Sequence, residues 1–160
     1  MFDVVSIGEL LIDLTPHGQS AKGNQLYEAN PGGAPANFVA VLARLGLKTA
    51  FIGKIGADQF GSLLIDTLQD LTIDTAGIIQ SESENTTLVF VHLDEFGERS
   101  FSFYRKPGAD MMLRQDEINY DIIKSARVFN FGGVSLSKDP ARTSTLTAAK
   151  FARGQGMLVT

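Results

Sequence analysis

Phe2-Asp3-Val4-Val5-Ser6-Ile7-Gly8 opens the chain as a short, β-branched run that stops at a glycine. A strand wetted on one face alternates apolar and polar side chains, whereas a nearly continuous apolar run suits a strand covered on both faces, as in a parallel sheet walled by helices. The same kind of run recurs at residues 49–54, 127–131 and 157–160. Between these runs lie helical signals. Phe38, Val41, Leu42 and Leu45 fall at helical spacing over residues 36–45, with Gly46 placed to end the helix. Asp58 reads as the N-cap of a helix through Leu63, Leu64, Leu68 and Leu71. A helical stretch is expected over residues 116–125 and a helix over 140–155, with Asp139 as N-cap and Pro140 at the first helical position. Strand, helix, strand, helix at this pitch predicts right-handed βαβ units and a doubly wound, parallel-rich α/β sheet.

Two stretches break the rhythm. Residues 15–31 turn polar, as a loop or edge ribbon would. Leu88-Val89-Phe90-Val91-His92-Leu93 and Arg99-Ser100-Phe101-Ser102-Phe103-Tyr104 flank a short turn whose Gly97 suits a left-handed corner, which predicts an antiparallel hairpin. Inside an α/β chain such a ribbon is expected to stand off the main sheet as a flap, with Phe101 and Phe103 on one face and Ser100, Ser102 and Tyr104 on the other. Met157-Leu158-Val159-Thr160 reads as the start of another inner strand, so these 160 residues are expected to be the amino-terminal part of a longer domain.

Composition narrows the function classes. The net charge is −4 and the 14 basic residues are scattered, which argues against a nucleic-acid surface. There is no cysteine, hence no disulfide and no thiolate ligand or nucleophile, a usage that fits a reducing cytoplasm. Met1-Phe2-Asp3 carries no basic n-region, Glu9 and Asp13 interrupt the apolar run that follows, and no stretch approaches the roughly 20 apolar residues of a membrane span. Asn85-Thr86-Thr87 matches a glycosylation sequon by chance on this reading. His17 and His92 stand in no metal-ligand spacing.

The residues with the most chemistry are Gly32-Gly33-Ala34-Pro35-Ala36-Asn37 and Asp13. Adjacent glycines let a ligand approach backbone N–H groups, and a helix start just after supplies further unpaired donors. Asn37 adds an amide and Asp13 two acceptor oxygens, a set suited to a neutral polyol. Singly, each has a plainer reading: the glycines as loop punctuation, Asp13 as a surface carboxylate, Asn37 as a helix cap. Arg105 by itself covers apolar surface or pairs with a nearby carboxylate; Asp58 and Asp110 read as structural.

Together these residues carry a resemblance. Gly8-Glu9-Leu10-Leu11-Ile12-Asp13-Leu14 followed by Asn30-Pro31-Gly32-Gly33-Ala34-Pro35-Ala36-Asn37-Phe38 resembles the first signature of the ribokinase-like (PfkB) carbohydrate kinases. Residues 51–61 and 129–136 continue it, and Phe103-Tyr104-Arg105-Lys106-Pro107-Gly108-Ala109-Asp110 is most similar to the family's fructokinase branch. The resemblance implies a three-layer α/β/α sandwich with lid elements at about 12–32 and 86–106. It also implies a sugar site of Asp13, Gly32, Gly33 and Asn37 with Arg105 reaching in from the flap, and a homodimer through that flap. The implied activity is phosphoryl transfer from ATP, with Mg, to a sugar, fructose first and 2-keto-3-deoxygluconate as the alternative within the family. A non-catalytic sugar-binding or interaction module is the alternative outside it. The family's Gly-Ala-Gly-Asp segment, whose Asp is the base, does not occur in these residues, so no catalytic residue is assigned and the chain alone is expected to be inactive and to bind ATP and Mg weakly if at all. Gly-x-x-x-x-Gly-Lys-[Ser/Thr] and Gly-x-Gly-x-x-Gly loops are absent too.

Overall fold

The computed structural model describes residues 1–93 and 96–160. In chain order the first half contains β1 (Phe2–Ile7), β2 (Leu11–Gln19), β3 (Gln25–Gly32), α1 (Ala34–Arg44), β4 (Thr49–Gly56), α2 (Gln59–Asp70) and β5 (Asp74–Ser81). The second half contains β6 (Leu88–Leu93), β7 (Arg99–Tyr104), α3 (Tyr120–Lys124), β8 (Ala126–Phe131), α4 (Ala141–Gly154) and β9 (Leu158–Val159). Short 3-10 turns lie at Ala109–Met112, Gln115–Glu117 and Val134–Leu136.

The main sheet runs β5-β4-β1-β8-β9, every neighbouring pair parallel. Its two faces explain the apolar runs. Val5 and Ile7 of β1 join Ala50, Ile52 and Phe129 in a core closed by Ile122 and Ile123 of α3 and by Ala148 and Ala152 of α4. Val4, Phe51 and Ile55 join the opposite core, closed by Ala36 and Val39 of α1 and Leu64 and Leu68 of α2. With helices on both faces this is an α/β/α sandwich, and no helix among the described residues is long and apolar enough to cross a membrane.

The flap is larger than a single hairpin. Residues 11–32 form an antiparallel ribbon, β2 with β3, and β2 pairs in parallel with β6, giving a four-stranded sheet in the order β3-β2-β6-β7. Gly97 has φ +80, the left-handed corner anticipated for the β6–β7 turn; Asp94 and Glu95 of that turn lie outside the described residues.

Several local expectations shift. The Phe38, Val41, Leu42, Leu45 spacing does mark a helix, but much of the face it marks is open: Val41 is 58% and Leu45 74% exposed and Leu42 packs only partly against the core, while Pro35, Ala36 and Val39 point inward. Residues 116–125 make one 3-10 turn and the five-residue α3 rather than one helix. Pro140 stands at the N-cap, one position before α4 begins. Asp139 still performs the capping chemistry, accepting from the Thr143 N–H at 3.1 Å and the Thr143 hydroxyl at 2.6 Å. β5 is a strand the sequence reading does not contain, an edge element whose Asp74, Thr75, Gly77 and Gln80 dilute the apolar signal.

Asp58 ties the sandwich to the flap. Its carboxylate accepts from Gly61 N–H at 2.8 Å, capping α2, and from the Thr86 N–H and hydroxyl, each at 2.8 Å, just ahead of β6. Burial works against its charge, but the hydrogen bonds from Thr86 and Gly61 outweigh it and hold the carboxyl below its ordinary value. A depressed carboxyl stabilises the fold above the unfolded-state carboxylate range and loses that contribution as pH falls through the folded value. Asp58→Ala is expected to cost about 1–2 kcal/mol at neutral pH. The difference in melting temperature from the parent, followed by circular dichroism, should shrink below about pH 4; a constant difference would refute the assignment.

Candidate sugar site

β1 lies between β4 and β8; the chain after β1 leads to α1 on one face of the sheet and the chain after β8 leads to α4 on the other, which opens a crevice beyond the carboxyl ends of the two strands. Three segments meet there: Gly8-Glu9 after β1, the Gly32–Gly33 entrance to α1, and Gly132 to Ser135 after β8. The flap supplies the roof. Asp13 on β2 stands opposite Val89 on β6, which stands opposite Phe103 on β7, so these side chains share the face that looks into the crevice. The result is an open cavity of about 240 Å³ walled by Glu9, Asp13, Gly33, Ala34 and Val134 and by the apolar Leu11, Val89, Phe101 and Phe103.

Two carboxylates line this cavity and differ in their partners. Glu9 is only 2% exposed. Its Oε1 accepts from the Ala34 N–H at 3.2 Å and its Oε2 from the Ser135 hydroxyl at 3.2 Å, which joins the start of α1 to the turn after β8. Burial pushes the Glu9 carboxyl above its ordinary value, outweighing the bonds it accepts. Asp13 is half-buried and accepts no hydrogen bond from any described residue; burial alone raises its carboxyl. An acceptor left open on a cavity wall is what a hydroxylated ligand can use.

The diglycine is required on steric grounds. A Cβ on Gly32 would collide with the Asp13 carboxylate. Gly33 has φ +112, and a Cβ there would collide with the Glu9 carbonyl oxygen.

Of the five residues expected to hold a sugar, the structure brings Asp13, Gly32 and Gly33 together. Asn37 lies apart from the cavity: its N–H donates to the Gly33 carbonyl at 2.9 Å within α1, and its exposed side chain borders the groove between α1 and α2 beside Thr67 and Leu71. Arg105 is also withheld. Its Nη1 donates to Asp110 Oδ2 at 2.7 Å, with Asp110 only 3% exposed, and its guanidinium covers the Phe103 ring at 4.8 Å. The plainer reading of Arg105 describes its placement, and Asp110 is structural as expected: it also accepts from the Thr87 hydroxyl. Glu9, Val134 and Ser135 escaped the sequence reading as site residues. A carboxylate placed directly after a buried strand was the available signal for Glu9.

Known proteins share the sequence and the fold of this chain. The chain is 42% identical over 158 residues to probable fructokinase-5 of Arabidopsis thaliana, covering 98% of this chain and 49% of that protein. The fructokinase of Xylella fastidiosa superposes with a TM-score of 0.92 at 34% identity, over 99% of this chain and 50% of its own. An uncharacterised sugar kinase of Pyrococcus horikoshii, solved in complex with ATP, gives 0.88 at 39% identity, over 98% and 51%. The chain thus spans about half the length of the relatives it matches. The description of the pfkB family carbohydrate kinases fits residues 1–159, and the chain belongs to that family.

Proposed function

We propose that this chain is the sugar-holding half of an ATP-dependent, fructokinase-like carbohydrate kinase. The observation that carries the reading is the unpartnered, half-buried Asp13 carboxylate beside Gly32 and Gly33, in a cavity just below the roughly 300–1,000 Å³ of pockets for drug-sized ligands. Asp13 accepts from sugar hydroxyls, and the rings of Phe101 and Phe103 meet the apolar C–H side of the sugar. The flap carrying Asp13, Phe101 and Phe103 covers the sugar from above and limits water, the competing phosphoryl acceptor.

ATP and Mg do not fit the residues present here. The α1 entrance is the glycine-rich helix start at this cavity, and its Ala34 N–H already carries the Glu9 carboxylate, which repels phosphate. Among the described residues no group of three or more His, Asp or Glu side chains converges to hold a metal ion. Phosphoryl transfer is therefore assigned to residues outside this chain.

The outer face of the flap suits a second copy of this chain. Tyr27 of β3, Phe90 of β6 and Tyr104 of β7 form an aromatic row, Tyr27 and Phe90 edge to face and Phe90 and Tyr104 tilted, with centroids 5.1 Å apart in each pair, and Tyr104 is 66% exposed. Sedimentation velocity should find a dimer that Tyr104→Lys dissociates; an unchanged sedimentation coefficient in the variant would remove this surface from consideration.

Asp13→Asn is expected to weaken D-fructose binding roughly 10- to 100-fold, the loss of a charge-assisted hydrogen bond, as read by calorimetric titration. The same variant should melt higher than the parent at neutral pH. A carboxyl raised by burial imposes no penalty below the ordinary carboxylate range and an increasing one as pH rises through its folded value, so the two melting temperatures converge near pH 3. Unchanged fructose affinity would show the cavity to be misassigned. With fructose, ATP and Mg the 160-residue chain should release no ADP in a coupled assay, and turnover would overturn the division of labour.

A further inference from the structure

The cavity borders two positive features, and the chain's own carboxylates occupy both. One is the start of α1, where the helix dipole and unpaired N–H groups favour an anion. Glu9 sits there, with Oε1 3.2 Å from the Ala34 N–H. The other is Arg105, which adjoins the cavity through Phe103, one of its walls, and lies 4.8 Å from that ring's centroid. Its Nη1 is 2.7 Å from Asp110 Oδ2, and both side chains are largely shielded from water, at 15% and 3% exposure. Asp110 is itself anchored by the Thr87 hydroxyl, and a Cβ on Gly108 would press on Arg105 Cβ, Asp110 Oδ1 and the Thr87 hydroxyl, so the pair is held in a tight backbone seat. Among the described residues the cavity wall contains Glu9 and Asp13 and no Lys or Arg.

We propose that Asp110 is a specificity-determining residue of this cavity, holding Arg105 away from the ligand so that the site accepts an uncharged polyol and rejects a sugar acid. The inference rests on the reading of the cavity as a sugar site. A carboxylate-bearing sugar would meet Asp13 and Glu9 with no free cation to compensate, and a desolvated like-charge contact is strongly unfavourable. An uncharged hydroxyl at the same carbon meets no such penalty and can donate to Asp13. Asp110 touches no ligand in this account; it acts through Arg105.

A matched pair of ligands tests the idea. D-Fructose and 2-keto-D-gluconate share their stereochemistry and differ in a hydroxymethyl group against a carboxylate. Calorimetric titration of the 160-residue chain at low ionic strength is expected to give at least tenfold tighter binding of fructose. Asp110→Asn removes the charge that neutralises Arg105 and weakens its hold, and should narrow that preference tenfold or more by tightening 2-keto-D-gluconate, with fructose affinity held within about threefold. A purely structural role for Asp110 would weaken both ligands together. Arg105→Met/Asp110→Asn replaces the ion pair by uncharged side chains of similar size, folds without an orphaned buried charge, and should restore the full preference. If the single variant does not fold, the double variant decides: retained fructose binding and retained discrimination support the proposal. A tenfold loss of fructose affinity in the double variant would instead make Arg105 a direct sugar ligand and overturn it. Parent chain that binds fructose and 2-keto-D-gluconate equally, or an Asp110→Asn preference equal to the parent's, overturns the proposal and leaves the sugar site standing. A parent that binds neither ligand overturns both.

Discussion

The buried carboxylate of Glu9 is the interaction on which the crevice depends. A charge removed from water is costly unless donors meet it, and Glu9 finds one on each side: the first N–H of α1 and the hydroxyl of Ser135. Glu9 follows β1 and Ser135 follows β8, strands that the sheet order sets side by side, and the Ala34 N–H arrives from the entrance to α1 after β3. The glycines around it follow from the same contact. A Cβ at Gly132 would press on Glu9 Oε2 and Pro35, one at Gly8 would press on Pro35 and Ser135, and one at Gly33 would strike the Glu9 backbone. Removing any of these small residues forces apart segments that Glu9 holds together, so the walls of the cavity are set by the fold before a ligand arrives.

Acidic side chains of similar kind take different roles here according to how many donors surround them. Asp58 meets two N–H groups and a hydroxyl, and its carboxyl is depressed. Asp110 is shut in with Arg105 and Thr87. Glu9 has one donor for each oxygen, which burial outweighs. Asp13 has none, and burial raises it unopposed. The first three are consumed by the architecture, and only the last keeps its hydrogen-bonding capacity for something outside the chain. Partner count, rather than residue type or conspicuous position, separates the acceptor left open from those the fold uses.

That distinction also marks what could be read from the sequence. β1, β4 and β8 are legible because strands covered on both faces must be apolar throughout, and the Asp58 and Asp139 caps are legible because capping is local. β5 is not, since an edge strand tolerates Asp74, Thr75 and Gln80 and sends no periodic signal. The spacing of Phe38, Val41, Leu42 and Leu45 identifies α1 correctly, but of these only Leu42 packs against the core that Ala36 and Val39 close, and Val41 and Leu45 face out. At the site, Asp13 with the diglycine was legible as a pattern of acceptor and bare backbone. Where Asn37 and Arg105 point was not: the first depends on the rotation of α1 about its axis, and the second on Asp110, whose reach to Arg105 is decided by the fold of the segment after β7.

The seam between β2 and β6 carries a consequence for the order in which the protein assembles. The two antiparallel ribbons of the flap are each local in sequence, and they join through the parallel register Ile12 to Leu88, Asp13 to Val89 and Leu14 to Phe90. β3, α1, β4, α2 and β5 all intervene in the chain, and loop-closure entropy delays such a non-local pairing until they have condensed. Completion of the flap therefore waits on the elements between β2 and β6, while the still longer closure of β1 onto β8, Phe2 to Ala126, waits on more of the chain.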